Sequence, residues 1–313
     1  MHPFLRYATE HQRDIIALIQ ALVECESPSN NAAAVNRCAN LLADRMRHIA
    51  SATTISGGQY GNHLRLEFKT QGRRQEGQIL CLGHLDTVWP LSTLRTMPFR
   101  ESEGRLWGPG VLDMKAGIAF AVYAVQTLRE LDLDTKRKIV MLLVSDEEIG
   151  SHSSRLYTEE EARRSDVVLV LEPGTGLGGA LKTSRKGVGN YIVRVHGKAA
   201  HSGLDFLAGA NAVVELCRQV QEIAAFTDLT CGLTVSPGII SGGTRTNVVP
   251  AEAEVQVDVR VERASDAVIV DRKFHGLQPF DSRCSLTIEG GLNRPPMERT
   301  PAVQQLFRTA LEA

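Results

Sequence analysis

Three unbroken apolar runs, at residues 79–82, 139–144 and 167–171, constrain the fold of this chain more than any other feature. A strand with one solvated face alternates apolar and polar residues, whereas a continuous run needs cover on both faces, the condition met in a parallel sheet flanked by helices. Residues 116–131, rich in Ala, Val, Ile and Leu, follow a helical period between the first two runs. A more polar helix near 153–164 separates the second from the third. Strand, helix, strand, helix, strand is the signature of an α/β domain. Upstream, Ile15, Leu18, Ile19, Leu22 and Val23 share one helical face. Val35, Cys38, Leu41, Leu42 and Met46 repeat the pattern after the capping and turn cluster Ser27-Pro28-Ser29-Asn30. Leu64, Leu66 and Phe68 alternate as a half-buried strand.

From Lys186 the pattern changes. Tyr191, Val193 and Val195 alternate, 211–225 is an amphipathic helix, 233–240 a strand, and Val255, Val257, Val259 and Val261 alternate again. A weaker helix over 264–274 and a strand through Leu286 and Ile288 complete the order βαββαβ, which predicts a ferredoxin-like domain with one open sheet face. A last amphipathic helix begins at Pro301. This divides the chain into 1–185, the inserted segment 186–293, and 294–313.

Thirty-five Lys and Arg against 36 Asp and Glu leave no basic excess to release counterions from a nucleic acid, and nine Phe, five Tyr and two Trp make a poor base-stacking platform. No stretch reaches the roughly 18 unbroken apolar residues of a membrane span. The six cysteines form no C-x-x-C pair, and no signal-peptide apolar region is read at the N-terminus. The expectation is a reduced, cytoplasmic protein with no nucleic-acid or membrane partner.

The carboxyl ends of the apolar runs carry the chemistry. The first is followed by His84-Leu85-Asp86, the second by Asp146-Glu147-Glu148 and the third by Glu172-Pro173; Asp113 lies in the glycine-rich turn Gly108-Pro109-Gly110-Val111-Leu112-Asp113. Ligands of open α/β sheets bind beyond the carboxyl ends of the strands, so these groups converge on one crevice. Carboxylates packed together repel and need a cation to stay ionised. Mixed imidazole and carboxylate donors suit Zn²⁺, with Co²⁺ or Mn²⁺ as substitutes, and their number suits two metals sharing a carboxylate. A dinucleotide loop at Gly174, Gly176 and Gly179 is disfavoured, because no clear helix follows.

Gly83-His84-Leu85-Asp86-Thr87-Val88, residues 108–117, Asp146-Glu147-Glu148-Ile149-Gly150-Ser151 and Leu171-Glu172-Pro173, in this order, resemble the M20 metallopeptidases, the glutamate carboxypeptidase and acetylornithine deacetylase group. The resemblance implies a three-layer, zinc-peptidase-like catalytic domain with a mostly parallel sheet, carrying the inserted domain as its dimerisation module. It further implies two Zn²⁺ per subunit. His84 and Glu172 would hold one zinc and Glu148 the other, with Asp113 bridging them. Asp86 would orient His84, and Glu147 would act as general base.

In Gly197-Lys198-Ala199-Ala200-His201-Ser202-Gly203 the resemblance makes His201 the residue that reaches a partner subunit's site and polarises the scissile carbonyl. Asn247 and Arg260 match positions facing the substrate, Arg260 as a carboxylate clamp, and Arg294 is a further candidate of that kind. Pro109 points to the glutamate carboxypeptidase branch. The implied activity is release of a C-terminal amino acid, glutamate being the candidate, from a small peptide or N-acyl amino acid by a homodimer. The alternatives are an N-acyl-amino-acid deacylase and a metal-poor relative that only binds. Members of the family continue with more strands and a late His on the second zinc, so the chain is expected to be a C-terminally truncated form.

Overall fold

The computed structural model describes residues 1–71 and 75–312. Two compact units emerge, Met1–Gly174 and Thr175–Ala313.

The first unit runs α1 (Pro3–Glu10), α2 (Gln12–Glu24), α3 (Ala32–Met46), β1 (Ala50–Ser56), β2 (Asn62–Phe68), β3 (Gln78–His84), a small hairpin of β4 (Arg100–Ser102) and β5 (Arg105–Trp107), α4 (Ala116–Glu130), β6 (Lys138–Val144), α5 (Arg155–Arg163) and β7 (Val167–Val170). The sheet order is β1-β2-β6-β3-β7. β3 pairs in parallel with β6 and with β7, while β2 is antiparallel to both of its neighbours, so the sheet is mixed. Period-two alternation explains why the run in β6 is continuous. Val140, Leu142 and Val144 pack on one face with Leu80 and Ala162 of α5. Ile139, Met141 and Leu143 pack on the other with Leu22, Leu42, Ile118 and Val122 from α2, α3 and α4. Helices thus cover both faces of the sheet's centre. The stretch Val111–Glu130 is long and apolar enough by length and composition to cross a membrane, but it is half buried and contributes to this core.

Two details differ from the sequence reading. The third run, expected to be covered on both faces, forms the edge strand β7, with Leu169 47% and Val170 56% exposed. The N-cap of α3 is Asn31, one residue past the turn cluster, its side chain accepting from Ala34 N at 3.0 Å.

The second unit contains β8 (Gly187–His196), β9 (Ala200–His201), α6 (Ala212–Ala224), β10 (Thr234–Gly242), β11 (Val248–Val249), β12 (Glu252–Val261), α7 (Ala264–His275), β13 (Ser285–Arg294) and α8 (Pro301–Glu312). Its four-stranded sheet, in the order β10-β12-β8-β13, is antiparallel throughout and has the ferredoxin-like arrangement. Tyr191, Val193 and Val195 of β8 and the alternate valines of β12 pack with Leu216, Ile223, Val270 and Phe274 of the two helices. The opposite face is polar: Arg194 bridges Glu254 and Glu289, each at 2.7 Å.

Candidate metal centre

His84 ends β3, Glu147 and Glu148 lie in the loop after β6, Glu172 follows β7, and Asp113 sits in the turn Val111–Lys115 that opens α4. Two glycines set this geometry. Gly110 adopts φ +71, where a side chain would also press on Thr87. Gly117, in the first turn of α4, lies so near the carbonyl oxygen of Leu171 that a Cβ would collide with it, and this close approach carries Glu172 toward Asp113.

His84, Asp113 and Glu172 each offer a ligand atom, and these atoms lie within 4.8 Å of one another. His84 Nε2 is 3.0 Å from Asp113 Oδ1 and 3.5 Å from Glu172 Oε1. Zinc bonds of about 2.1 Å in a tetrahedron give ligand-to-ligand edges of about 3.4 Å, so the donor set and its spacing fit a zinc-sized cation. The tautomer fits as well. Nδ1 lies 2.9 Å from the Asp86 carbonyl oxygen, an acceptor only, so Nδ1 carries a proton and Nε2 is the nitrogen turned toward the carboxylates, where a metal would replace its proton. Burial works to lower the His84 pKa, but hydrogen bonds to Asp86 and Glu172 outweigh it and push it to about 11. The field that retains a proton here also favours a metal cation. Glu148 lies outside the three-ligand group; burial, then the negative charge of Asp113, raises its pKa.

Asp86 meets His84 Nδ1 twice, through its main-chain carbonyl at 2.9 Å and its carboxylate at 3.5 Å, and the carboxylate has further work. The buried carboxylate accepts from Ser29 Oγ at 2.7 Å and from the main-chain N–H groups of Glu147 and Glu148 at 3.2 Å each. Ser29, which the sequence showed only as part of a turn, therefore belongs to the support of the acidic loop. Lys115, 1% exposed, supports the Asp113 turn instead: its Nζ donates to the carbonyl oxygens of Leu22 and Cys25 at 2.7 and 3.2 Å and ties that turn to the end of α2. A third support, His63, is fully buried on β2 against Ser145. Lys115 falls within the motif stretch 108–117, but its role and those of Ser29 and His63 are not legible there, because each acts on residues 57 to 93 positions away.

The other four candidates belong to the second unit. His201 in β9 pairs with Val248 in β11, and Ser202 N donates to the Asn247 carbonyl at 3.1 Å, so His201 and Asn247 share one two-stranded ribbon. His201 Nδ1 accepts from Gly203 N and Leu204 N at 3.1 and 3.2 Å, which leaves Nε2–H as an exposed donor. Arg260 and Arg294 flank Val188 in one cross-strand row. The Arg260 fork is engaged already: Nε and one terminal nitrogen reach the two Asp258 oxygens at 2.9 and 3.0 Å.

Among family models, the M20 peptidase dimerisation domain matches residues 183–277 and peptidase family M28 matches residues 66–185. The chain is 30% identical over 262 residues to carboxypeptidase G2 of Pseudomonas sp. (strain RS-16), covering 83% of this chain and 62% of that protein. It is 30% identical over 267 residues to succinyl-diaminopimelate desuccinylase of Thioalkalivibrio sulfidiphilus, covering 79% and 68%. The crystal structure of aminopeptidase PepT from Bacillus cereus superposes with a TM-score of 0.76 at 16% identity, over 96% of this chain and 82% of that one, a likeness of fold. The chain thus spans less than two thirds of the length of carboxypeptidase G2.

Proposed function

Because the chain belongs to the M20 metallopeptidase family, we propose that it is a metal-dependent hydrolase that releases a C-terminal amino acid, glutamate being the first candidate, from a peptidyl or N-acyl substrate. The observation that carries this reading is the His84, Asp113 and Glu172 cluster beside the paired Glu147 and Glu148. His84 and Glu172 would hold one Zn²⁺ and Glu148 a second, with Asp113 between them. Bound there, the metal would polarise the scissile carbonyl and acidify water.

The chain's own groups do the rest. Glu147, whose main-chain N–H is gripped by Asp86, takes the proton of the attacking water and returns it to the leaving amine. His201, reaching the partner subunit's site, donates from Nε2–H to the carbonyl oxygen as negative charge develops there. Asn247, Arg260 and Arg294 are the substrate contacts in this reading, with Arg260 exchanging Asp258 for a substrate carboxylate. A homodimer through the second unit is supported by the dimerisation-domain match and by the sheet-edge strand β10, where Ile239 and Ile240 are 60% and 57% exposed. A cytoplasmic location is part of the same proposal, supported by six free cysteines.

A second reading, removal of an acyl group from an amino acid, is favoured by the likeness to the desuccinylase. Hydrolysis of a panel of peptidyl, benzoyl and succinyl amino acids with added zinc separates the two by which half of the substrate must be kept. In either case Glu147→Gln is expected to abolish turnover while bound zinc stays at the wild-type level. Retained turnover would remove Glu147 as the base, and an absence of zinc binding by the wild-type chain would overturn both readings in favour of a binding protein.

A further inference from the structure

His63 lies on β2, far in sequence from every motif, and is 0% exposed. Ser145 N donates to its Nδ1 at 3.2 Å, and a main-chain N–H can only donate, so Nδ1 holds the lone pair and the ring proton is on Nε2. Nε2 faces Ser153 Oγ at 3.4 Å. The Ser153 hydroxyl passes the direction on, donating to Asp146 Oδ2 at 2.8 Å; the Ser153 main-chain N–H donates to the same oxygen at 2.6 Å. The ring is wedged in place. A Cβ on Gly57 would come within 2.8 Å of its Cε1, and Tyr157 leans on it with ring centroids 5.8 Å apart. Burial outweighs the pull of Asp146 and lowers the imidazole's pKa, in keeping with a neutral acceptor at Nδ1.

We propose that His63 is a positioning residue for the acidic pair: the relay Ser145, His63, Ser153, Asp146 clamps the chain just before and just after Glu147 and Glu148. A core histidine that only filled space would not need both ring nitrogens committed to opposite ends of one loop. Asp86 holds the middle of that loop through the Glu147 and Glu148 amides, and the relay closes its two sides. The inference about metal affinity rests on the reading of Glu148 as a metal-binding group; the inference about the loop does not.

The test uses the full chain and three substitutions. His63→Phe keeps an aromatic ring but can neither accept from Ser145 nor donate to Ser153. His63→Gln offers an amide oxygen and an amide N–H in their place. Ser153→Ala cuts the relay beyond an intact ring and serves if the Phe variant does not fold. Amide hydrogen exchange across residues 145–154 of metal-free protein is expected to quicken at least about tenfold in His63→Phe and to return most of the way in His63→Gln. Calorimetric zinc titration is expected to show affinity, and turnover assays kcat, falling about 10-fold to 100-fold in His63→Phe with KM within about twofold, the range seen when groups behind metal ligands are removed. Ser153→Ala should show the same loss in milder form.

Wild-type exchange in this loop for His63→Phe, or for Ser153→Ala where His63→Phe does not fold, overturns the proposal. A His63→Gln protein as impaired as His63→Phe does so too, since an amide that offers both hydrogen bonds again would then restore nothing. If the wild-type chain bound no zinc and hydrolysed nothing, the hydrolase reading would fall, while the exchange data would still decide the role of His63.

Discussion

His84, Asp86 and the acidic loop of the first unit are held in the opposite way to His201, Asn247 and Arg260 of the second. In the first unit His84 and Asp86 are each 1% exposed, and the loop that carries Glu147 and Glu148 is gripped through its own main chain. In the second, His201, Asn247 and Arg260 are all exposed, on a short ribbon and on the open face of a sheet. Groups that must keep a fixed spacing around a cation need support from behind, since a displacement of a few tenths of an ångström changes the coordination. Groups that meet a substrate can wait at the surface with provisional partners, as Arg260 does with Asp258, and exchange them on binding.

The largest effect is expected where the rigid side is broken. In Asp86→Ala, Ser29 Oγ and the amides of Glu147 and Glu148 lose their common acceptor. Zinc affinity measured by calorimetry is expected to drop about 10-fold to 100-fold, with turnover following it. A change under about threefold would mean that the relay through His63 holds the loop without Asp86.

A smaller effect is expected from pH. The folded His84 pKa of about 11 lies above the unfolded value of about 6.5, so in metal-free protein the ring proton adds stability that is fully present below about pH 6.5 and is lost as the pH rises toward 11. Zinc must displace that proton. The rise in Tm on adding zinc to chelator-treated protein should therefore grow between about pH 7 and 9, which thermal melts in parallel buffers would check. An increment that is flat or shrinks would show that His84 carries no proton to displace.

The smallest effect belongs to the exposed side. Asp258→Asn removes the charge that engages Arg260, both side chains being more than 40% exposed. It is expected to lower KM about twofold to fivefold for substrates ending in a carboxylate and to leave amide-capped ones unchanged, the scale of an exposed ion pair. An equal change for both substrates would place Arg260 away from the terminal carboxylate.

The parts of the fold legible in the sequence were those whose burial pattern is local. The β6 run is buried on both faces, and the valines of β12 alternate as they do because only one face is covered. β1 escaped notice because Ala50–Ser56 is largely exposed and exists through its pairing with β2. β7 misled in the other direction, since an apolar run records a need for cover and not whether the cover is present. The site divides in the same manner. His84, Asp113 and Glu172 could be picked out because metal chemistry restricts residue type and strand ends restrict place. Ser29, His63 and Lys115 could not, because serine, histidine and lysine have many ordinary uses and only the folded chain shows what each one touches.

The grip of the Asp86 carboxylate also restricts which loops are free to change length. Three connections converge on it: the one after α2 through Ser29, the one after β3 through its own backbone, and the one after β6 through Glu147 and Glu148. Loops are usually where a chain absorbs insertions and deletions. Here one extra residue in any of these three would move a donor or the acceptor itself, so a length change in one must be matched in the others. The tip of the β4–β5 hairpin, at Glu103 and Gly104, is under no such constraint: it turns through positive φ angles with open space around Gly104. Growth of the first unit by insertion has room there, and the loops around the cluster must keep their length.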